Sequence, residues 1–323
     1  MTITISSSMF EVVVAPERGA DIVQVVDRAT GVATLTAAPT ATDDAPPPPS
    51  RDSKSRWHDG YPGGWQFLTP NAGPEREHNG ILQGYHGESA LSRWQLLAAD
   101  ESSAVLGTRL TTAPFALQRR LAVDASGLRV TDTVRNLADV DVSARMLQHP
   151  AFGAPFLDSR SYLVTDARTL ITDEEAPGTL AEANVAGAPH SILTPGPVAS
   201  SIALPGPGAR RSLFAALADF PTAKPSVVFA SPTHGFGMQL TWKRVRYPVA
   251  WLWIEANAEP NWPWFGRMYA IAVEPANLLP GAGEARTGTT RGGDGTVVRA
   301  RGSVRSTVRL SRVALARASG NPG

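Results

Sequence analysis

Leu121-Ala122-Val123-Asp124-Ala125-Ser126-Gly127-Leu128-Arg129-Val130-Thr131-Asp132-Thr133-Val134-Arg135 decides the fold class. Leu121 and Val123 alternate with polar or small residues, and Asp124 to Gly127 supply a turn. Leu128, Val130 and Val134 then resume the alternation against Arg129, Thr131, Thr133 and Arg135. A period of two sends successive side chains to opposite faces of a sheet, so this stretch predicts a β-hairpin with one buried face.

The same period recurs outward from it. Phe236, Met238, Leu240 and Trp242 alternate with Gly237, Gln239 and Thr241, and Val304, Val308 and Leu310 alternate with Arg305, Thr307, Arg309 and Ser311. Helical stripes are almost absent; Thr179 to Val185 predicts a turn or two of helix ended by Gly187. The expected class is all-β. The 29 glycines and 27 prolines exceed the usual ~12 % share, and charged residues make up 18 % against a usual ~25 %, which suits a chain of turns and strands.

Two stretches predict loops, because proline lacks a ladder donor and glycine restricts the backbone little: 36–62, with Pro46 to Pro49, and 281–295. The strands before the first, around Phe10 to Val14 and Ile22 to Val26, are too few to bury a core alone. Residues 36–62 are therefore expected to be an excursion inside a single domain covering 1–323, with 316–323 a flexible tail.

Thirty Lys and Arg against 29 Asp and Glu leave a net charge of +1, which gives no electrostatic reason to expect nucleic acid or an acidic membrane as partner. The absence of cysteine excludes disulfides, thiolate metal sites and a cysteine nucleophile. Met1 to Phe10 lacks a basic region followed by an apolar one, and no run of ~18 apolar residues occurs, so a cytoplasmic location is expected. The six histidines, at 58, 78, 86, 149, 190 and 234, show none of the close spacings of common zinc sites, and no phosphate loop, dinucleotide fingerprint or Gly-x-Ser-x-Gly elbow is present. Neither metal nor cofactor is expected.

Polar and aromatic residues concentrate in four places: Pro62 to Asn71, Glu75 to Trp94, Gln148-His149-Pro150, and Trp251 to Pro275. Rings beside carboxylates suit a sugar, whose C–H face stacks on an aromatic while its hydroxyls seek charged partners. In Tyr269 to Pro275 alternation puts Glu274 on one face with Ala270 and Ala272, which is either a site with room for a ligand or an edge glutamate facing solvent. Arg145, Leu147 and His149 share a face, and Pro150 is expected to cut the strand after the histidine; a hydrogen-bonded core histidine explains the position as readily as a catalyst. Trp251, Trp253 and Glu255 also share a face, as core packing or as a carbohydrate platform.

At these four places the sequence resembles the aldose 1-epimerase (galactose mutarotase-like) family. Gly63-Gly64-Trp65-Gln66 leading to Pro70-Asn71-Ala72-Gly73 is similar to the family's early loop. His86-Gly87-Glu88 with Arg93-Trp94 resembles its His-Gly motif, Gln148 to Gly153 its His-Pro-aromatic segment, and Val273-Glu274-Pro275 its terminal Glu-Pro. Order and spacing match over about residues 10–315.

The resemblance implies a large β-sandwich whose sugar cleft lies on a concave sheet, with Glu274 as general base and His149 as general acid. It further implies His86 as a ligand to the sugar, with Arg76, Glu88, Trp65, Trp94, Trp251, Trp253 and Glu255 as candidate substrate contacts. Two departures stand out. Ala151 and Gly153 replace an aromatic and an amide of the usual His-Pro-Tyr-Phe-Asn, and the usual arginine has no clean counterpart beyond Arg76.

The expected reaction interconverts the α and β anomers of a monosaccharide or sugar phosphate, with one base and one acid on opposite sides of the anomeric centre. A non-catalytic carbohydrate-binding protein is one alternative. Another is a hydrolase or lyase in which Glu255, Glu259 or Glu88 joins Glu274. A monomer or weak homodimer is expected.

Overall fold

A computed structural model describes residues 2–39, 52–280 and 295–315. Pro46 to Pro49, the 281–294 part of the second predicted loop and the 316–323 tail lie outside the described residues. Two antiparallel sheets, one of eleven strands and one of nine, stack as a sandwich with very little helix. The deciding hairpin is present: Phe115–Asp124 pairs with Gly127–Asn136, with Leu121 opposite Val130.

Alternation partitions the central strands as the residue types require. In the larger sheet Leu252, Ile254, Ile271 and Val273 face Phe229, Leu240 and Val308 of the smaller sheet in the main core. Trp251, Ala270 and Ala272 point the other way, into a second apolar cluster with Leu147, Ala151, Trp57 and Tyr61. Both faces of these strands are thus covered, and the site is built on the second.

The expectation for 36–62 needs correction. Asp52 accepts the amide of Ser55 at 2.8 Å and so caps a helix, Ser53–Gly60, which supplies part of the second cluster. Thr36 N donates to Ala151 O, and Ala37 bridges Gly63, so sheet pairing extends into both ends of the stretch.

Two further expectations change. Thr179 to Val185 forms turns, not a helix, because the amides of Thr179 and Leu180 both donate to Ser212 O of a neighbouring strand. Pro150 does not end its strand, which runs Leu147–Phe152; Ala151 N carries the pairing past the proline by donating to Gly64 O.

Candidate active site

Four consecutive strands of the larger sheet, Trp65–Leu68, Leu147–Phe152, Tyr269–Ala276 and Val249–Ala256, place one cross-strand row on the site face. Gln66 pairs with His149, and Trp251 pairs with Glu274. The pairs Leu147 with Ala276 and Ala151 with Ala272 set a register that brings His149 opposite Glu274. The result is 3.5 Å between His149 Nε2 and Glu274 Oε1, with side chains only 5 % and 2 % exposed. Burial acts on both: it pushes the Glu274 carboxyl well above its ordinary range and the His149 imidazole down to about 4. The two titrate as one unit, and between those limits they share one proton, which burial places on the carboxyl.

His86 closes the site from a different segment. Its backbone amide donates to Gly73 O at 2.9 Å and the Gly73 amide donates to His86 Nδ1 at 3.1 Å, so the ring is fastened to the 70–74 loop by a reciprocal pair. An imidazole nitrogen that accepts carries no proton, which leaves Nε2 as the donor. Burial and the neighbouring His149 hold this imidazole neutral by lowering its pKa well below the usual histidine value. Gly87 makes the turn possible: its φ is +76°, and a Cβ there would stand 2.7 Å from both Asn71 O and Thr69 O.

Around these groups lies a cavity of ≈ 770 Å³. Trp57 and Trp253 line it with ring centroids 6.0 Å and 5.7 Å from His149, and Tyr61 packs against His149 at 5.6 Å. Trp57 Nε1, Tyr61 Oη and His149 Nδ1 are buried with no hydrogen-bond partner among the described residues. Such groups are costly unless something in the cleft pairs with them. The carboxyl groups of Asp173, Glu174, Glu175, Glu255, Glu259 and Glu274 line the same cavity, and Lys54 is the one lysine or arginine among the described residues that line it. Among the described residues no group of three His, Asp or Glu side chains could hold a metal ion.

The structure separates the sequence candidates. His86, His149, Glu274, Trp251, Trp253 and Glu255 line the cleft together. Trp65 does not: strand parity turns it into the main core, where its Nε1 donates to Gln148 Oε1 at 2.9 Å. Trp94 is also a core residue, donating to Ser89 O. Glu88 receives the amides and hydroxyls of Thr111 and Thr112, which ties a loop down away from the cavity. Arg76 is buried in the ribbon formed by Arg76–His78 and Ile81–Gln83 and does not line the cavity. Within the cleft Glu255 is engaged in structure, since its carboxylate accepts the amides of Ala258 and Glu259.

Trp57, His58, Tyr61, Tyr85 and Trp264 were not singled out from the sequence. Four of them lie on or beside the helix Ser53–Gly60 or the His86 turn, and the signal for that helix was the capping Asp52 with Gly60 eight residues on. They also bear on the departure at position 151. Ala151 shares its cluster with Trp57 and Tyr61, so aromatic rings arrive from the helix instead of from position 151. A Cβ on Gly153 would meet Thr36 Oγ1 at 2.7 Å and Tyr269 O at 2.8 Å, so this position has no room for an amide side chain.

Residues 1–301 match the family described as Domain of unknown function (DUF4432), and the chain belongs to that family. No curated protein matches the sequence. Solved structures share the fold at low identity. A galactose mutarotase related enzyme from Lactobacillus acidophilus superposes with a TM-score of 0.69 at 15 % identity, covering 98 % of this chain and 99 % of that one. A galactose mutarotase-like protein from Lactobacillus casei gives 0.66 at 17 %, covering 97 % and 100 %. Another from Clostridium acetobutylicum gives 0.65 at 15 %, covering 97 % and 95 %. The fold is therefore galactose mutarotase-like.

Proposed function

We propose that this DUF4432 chain interconverts the α and β anomers of an uncharged aldose by acid–base ring opening. The observation that carries the reading is the buried pair, His149 Nε2 and Glu274 Oε1 at 3.5 Å, on the floor of an aromatic cleft. A singly protonated pair holds one acid and one base, which is what the reaction consumes.

The anomeric O1 and the ring oxygen O5 are bonded to the same carbon, so adjacent groups on one face reach both. From the uncharged pair, His149 Nε2 takes the O1 proton, C1=O forms as the C1–O5 bond breaks, and O5 receives the proton of Glu274. The open aldehyde turns about C1–C2. On closure the carbonyl oxygen regains a proton from His149, and Glu274 recovers one from the attacking hydroxyl, which restores the starting state. The assignment implied by the resemblance, Glu274 as base and His149 as acid, starts from the ion-paired form and exchanges the oxygens that the two residues serve; burial favours the uncharged starting point. His86 Nε2–H is a fixed donor for a sugar oxygen, and Trp253 and Trp57 offer ring faces to the C–H surface.

Apart from the protonated Glu274, five carboxylates against one lysine among the described residues lining the cleft support an uncharged aldose over a sugar phosphate. Of the three carboxylates weighed as a hydrolytic partner of Glu274, Glu88 lies outside the cavity, while Glu255 and Glu259 already accept backbone amides. Polarimetry of freshly dissolved α-glucose and α-galactose, with and without protein, tests the proposal. Acceleration of the approach to equilibrium supports it, and a rate equal to the buffer's refutes it.

A further inference from the structure

Aromatic rings continue in a series from the catalytic pair to the surface. Trp253 lies 5.7 Å from His149, Trp264 lies 6.4 Å from Trp253, and His58 bridges Trp264 and Trp262 at 5.7 Å and 5.1 Å. The inner members are buried or half-buried, but Trp262 is 42 % exposed, and Phe265, three residues on, is 57 % exposed. A single pyranose with its anomeric carbon over His149 and Glu274 has Trp253 as its nearest outward platform. Trp262 stands three ring-to-ring steps farther out and is left without a role by that sugar.

The loop carrying Trp262 is held in place. Asn257 Nδ2 donates to Gly266 O at 3.0 Å, Phe265 N to Asn261 O at 2.8 Å, and the Asn261 amide to Glu259 Oε1 at 2.8 Å. An indole presented to solvent on a braced loop at the mouth of a cleft is a preformed surface, and its hydration is unfavourable until something covers it. Trp262 lines the same cavity as the catalytic pair, and that cavity exceeds what one pyranose fills. The carboxylates of Glu259 and Glu175 lie along it as acceptors for hydroxyls.

We infer that the cleft takes the reducing end of a neutral oligosaccharide, with the reducing sugar over His149 and Glu274 and the next ring stacked on Trp262. This rests on the anomer-interconversion reading for the inner position. The outer position is defined by the aromatic series alone. The ring is recognised by its C–H face and neutral hydroxyls, so a monosaccharide is accepted but fills only part of the site.

The test compares glucose and galactose with maltose, cellobiose and lactose, using the wild-type protein and Trp262→Ala. By polarimetry, kcat/KM for at least one disaccharide is expected to exceed that for its monosaccharide about tenfold, a preference that Trp262→Ala removes. Monosaccharides turned over as well as every disaccharide, or a W262A loss equal for both classes, would overturn the inference while leaving the proposed chemistry intact. A W262A protein that changes oligomeric state without changing the disaccharide preference would overturn it as well. If no sugar is turned over, the proposed chemistry fails; calorimetric titration with the same sugars then decides the outer site. Tighter disaccharide binding that depends on Trp262 upholds it, and equal or absent binding overturns it.

Discussion

His149 Nε2 and Glu274 Oε1 stand 3.5 Å apart on neighbouring strands, and both side chains are almost wholly withdrawn from solvent. The sequence reading expects acid and base on opposite sides of the anomeric centre; the proposed reaction instead uses two groups side by side on one face. Sheet register produces this geometry, because directly opposed residues of paired strands present their side chains to the same face. Glu274→Gln is therefore expected to remove catalysed mutarotation, since an amide neither gives nor takes a proton at neutral pH. The amide keeps the shape of the carboxyl, so sugar affinity by calorimetry should stay within about threefold. Adding His149→Asn to that variant should cost little more, because the two residues act as one proton-holding unit.

The pH dependence of kcat/KM separates this pair from two independent groups. Ordinary values would confine activity to a narrow interval between roughly 4.3 and 6.5. Burial lowers His149 to about 4 and raises Glu274 well above its ordinary range, so the pair holds a single proton between those two limits. Activity should fall on the acid side near pH 4, where a second proton binds, and on the alkaline side only above the usual carboxylate range. Loss of activity on the alkaline side at the ordinary carboxylate value of roughly 4.3 would contradict the raised Glu274.

Asp21 makes a prediction about stability. It is fully buried, and desolvation raises its pKa to about 8 although Gln66 Nε2 donates to it at 2.7 Å. A carboxyl that holds its proton in the folded state and loses it unfolded stabilises below its unfolded value near 3.8, and that contribution is lost as pH rises through about 8. Asp21→Asn keeps an acceptor for Gln66 and cannot ionise. Thermal denaturation should show wild-type Tm declining from pH 6 to pH 9 more steeply than that of D21N.

Trp65 and Trp253 should behave oppositely. Trp65→Phe strands the buried Gln148 oxygen and is expected to cost about 1–3 kcal/mol in chemical denaturation, with KM for the sugar within about twofold of wild type. Trp253→Ala removes a face of the cleft and should raise KM about tenfold with a smaller effect on kcat. A large KM effect from Trp65→Phe would contradict its place in the core.

Gly87→Ala should disable the site without touching a reacting group. The substitution forces a Cβ toward two backbone oxygens at a positive φ, so the His86 turn must shift, at a cost of ~1–3 kcal/mol. Loss of the Gly73 amide bond to His86 Nδ1 should then reduce kcat/KM at least tenfold, with secondary structure by circular dichroism unchanged.

The parity of the strands was legible in the sequence, and it explains both what could be foreseen and what could not. In Tyr269 to Glu274 the alternation of large and small residues separated the core face from the face carrying Glu274, and Trp251 with Trp253 fell on the site face in the same way. Trp65 was drawn toward the site by its loop motif, although parity groups it with the core residue Phe67 and leaves Gln66 to pair with His149. Proximity between distant segments was not legible. Nothing local in Asp52 to Tyr61 states that Trp57 will lie 4.5 Å from the His86 ring, because that contact is made by tertiary packing and not by spacing. Glu88 reads as a ligand in the sequence because a charged residue beside a motif looks the same whether it holds a sugar or a pair of threonine amides, which it accepts here.

The helix Ser53–Gly60 has a consequence for how such a cleft can diversify. In the proposed reaction proton transfer depends on His149 and Glu274, whose positions are set by the register of the sheet. In the same reading ring recognition draws on Trp57 and on the neighbourhood of Tyr61 just past the helix, both contributed by the helical connection and not by a sheet strand. Changes of length or composition in that connection can reshape the pocket while the reacting atoms stay in place. Libraries confined to residues 53–61 should therefore yield variants that differ in the sugar they accept and agree in their pH profile, which makes this segment an independent dial for specificity.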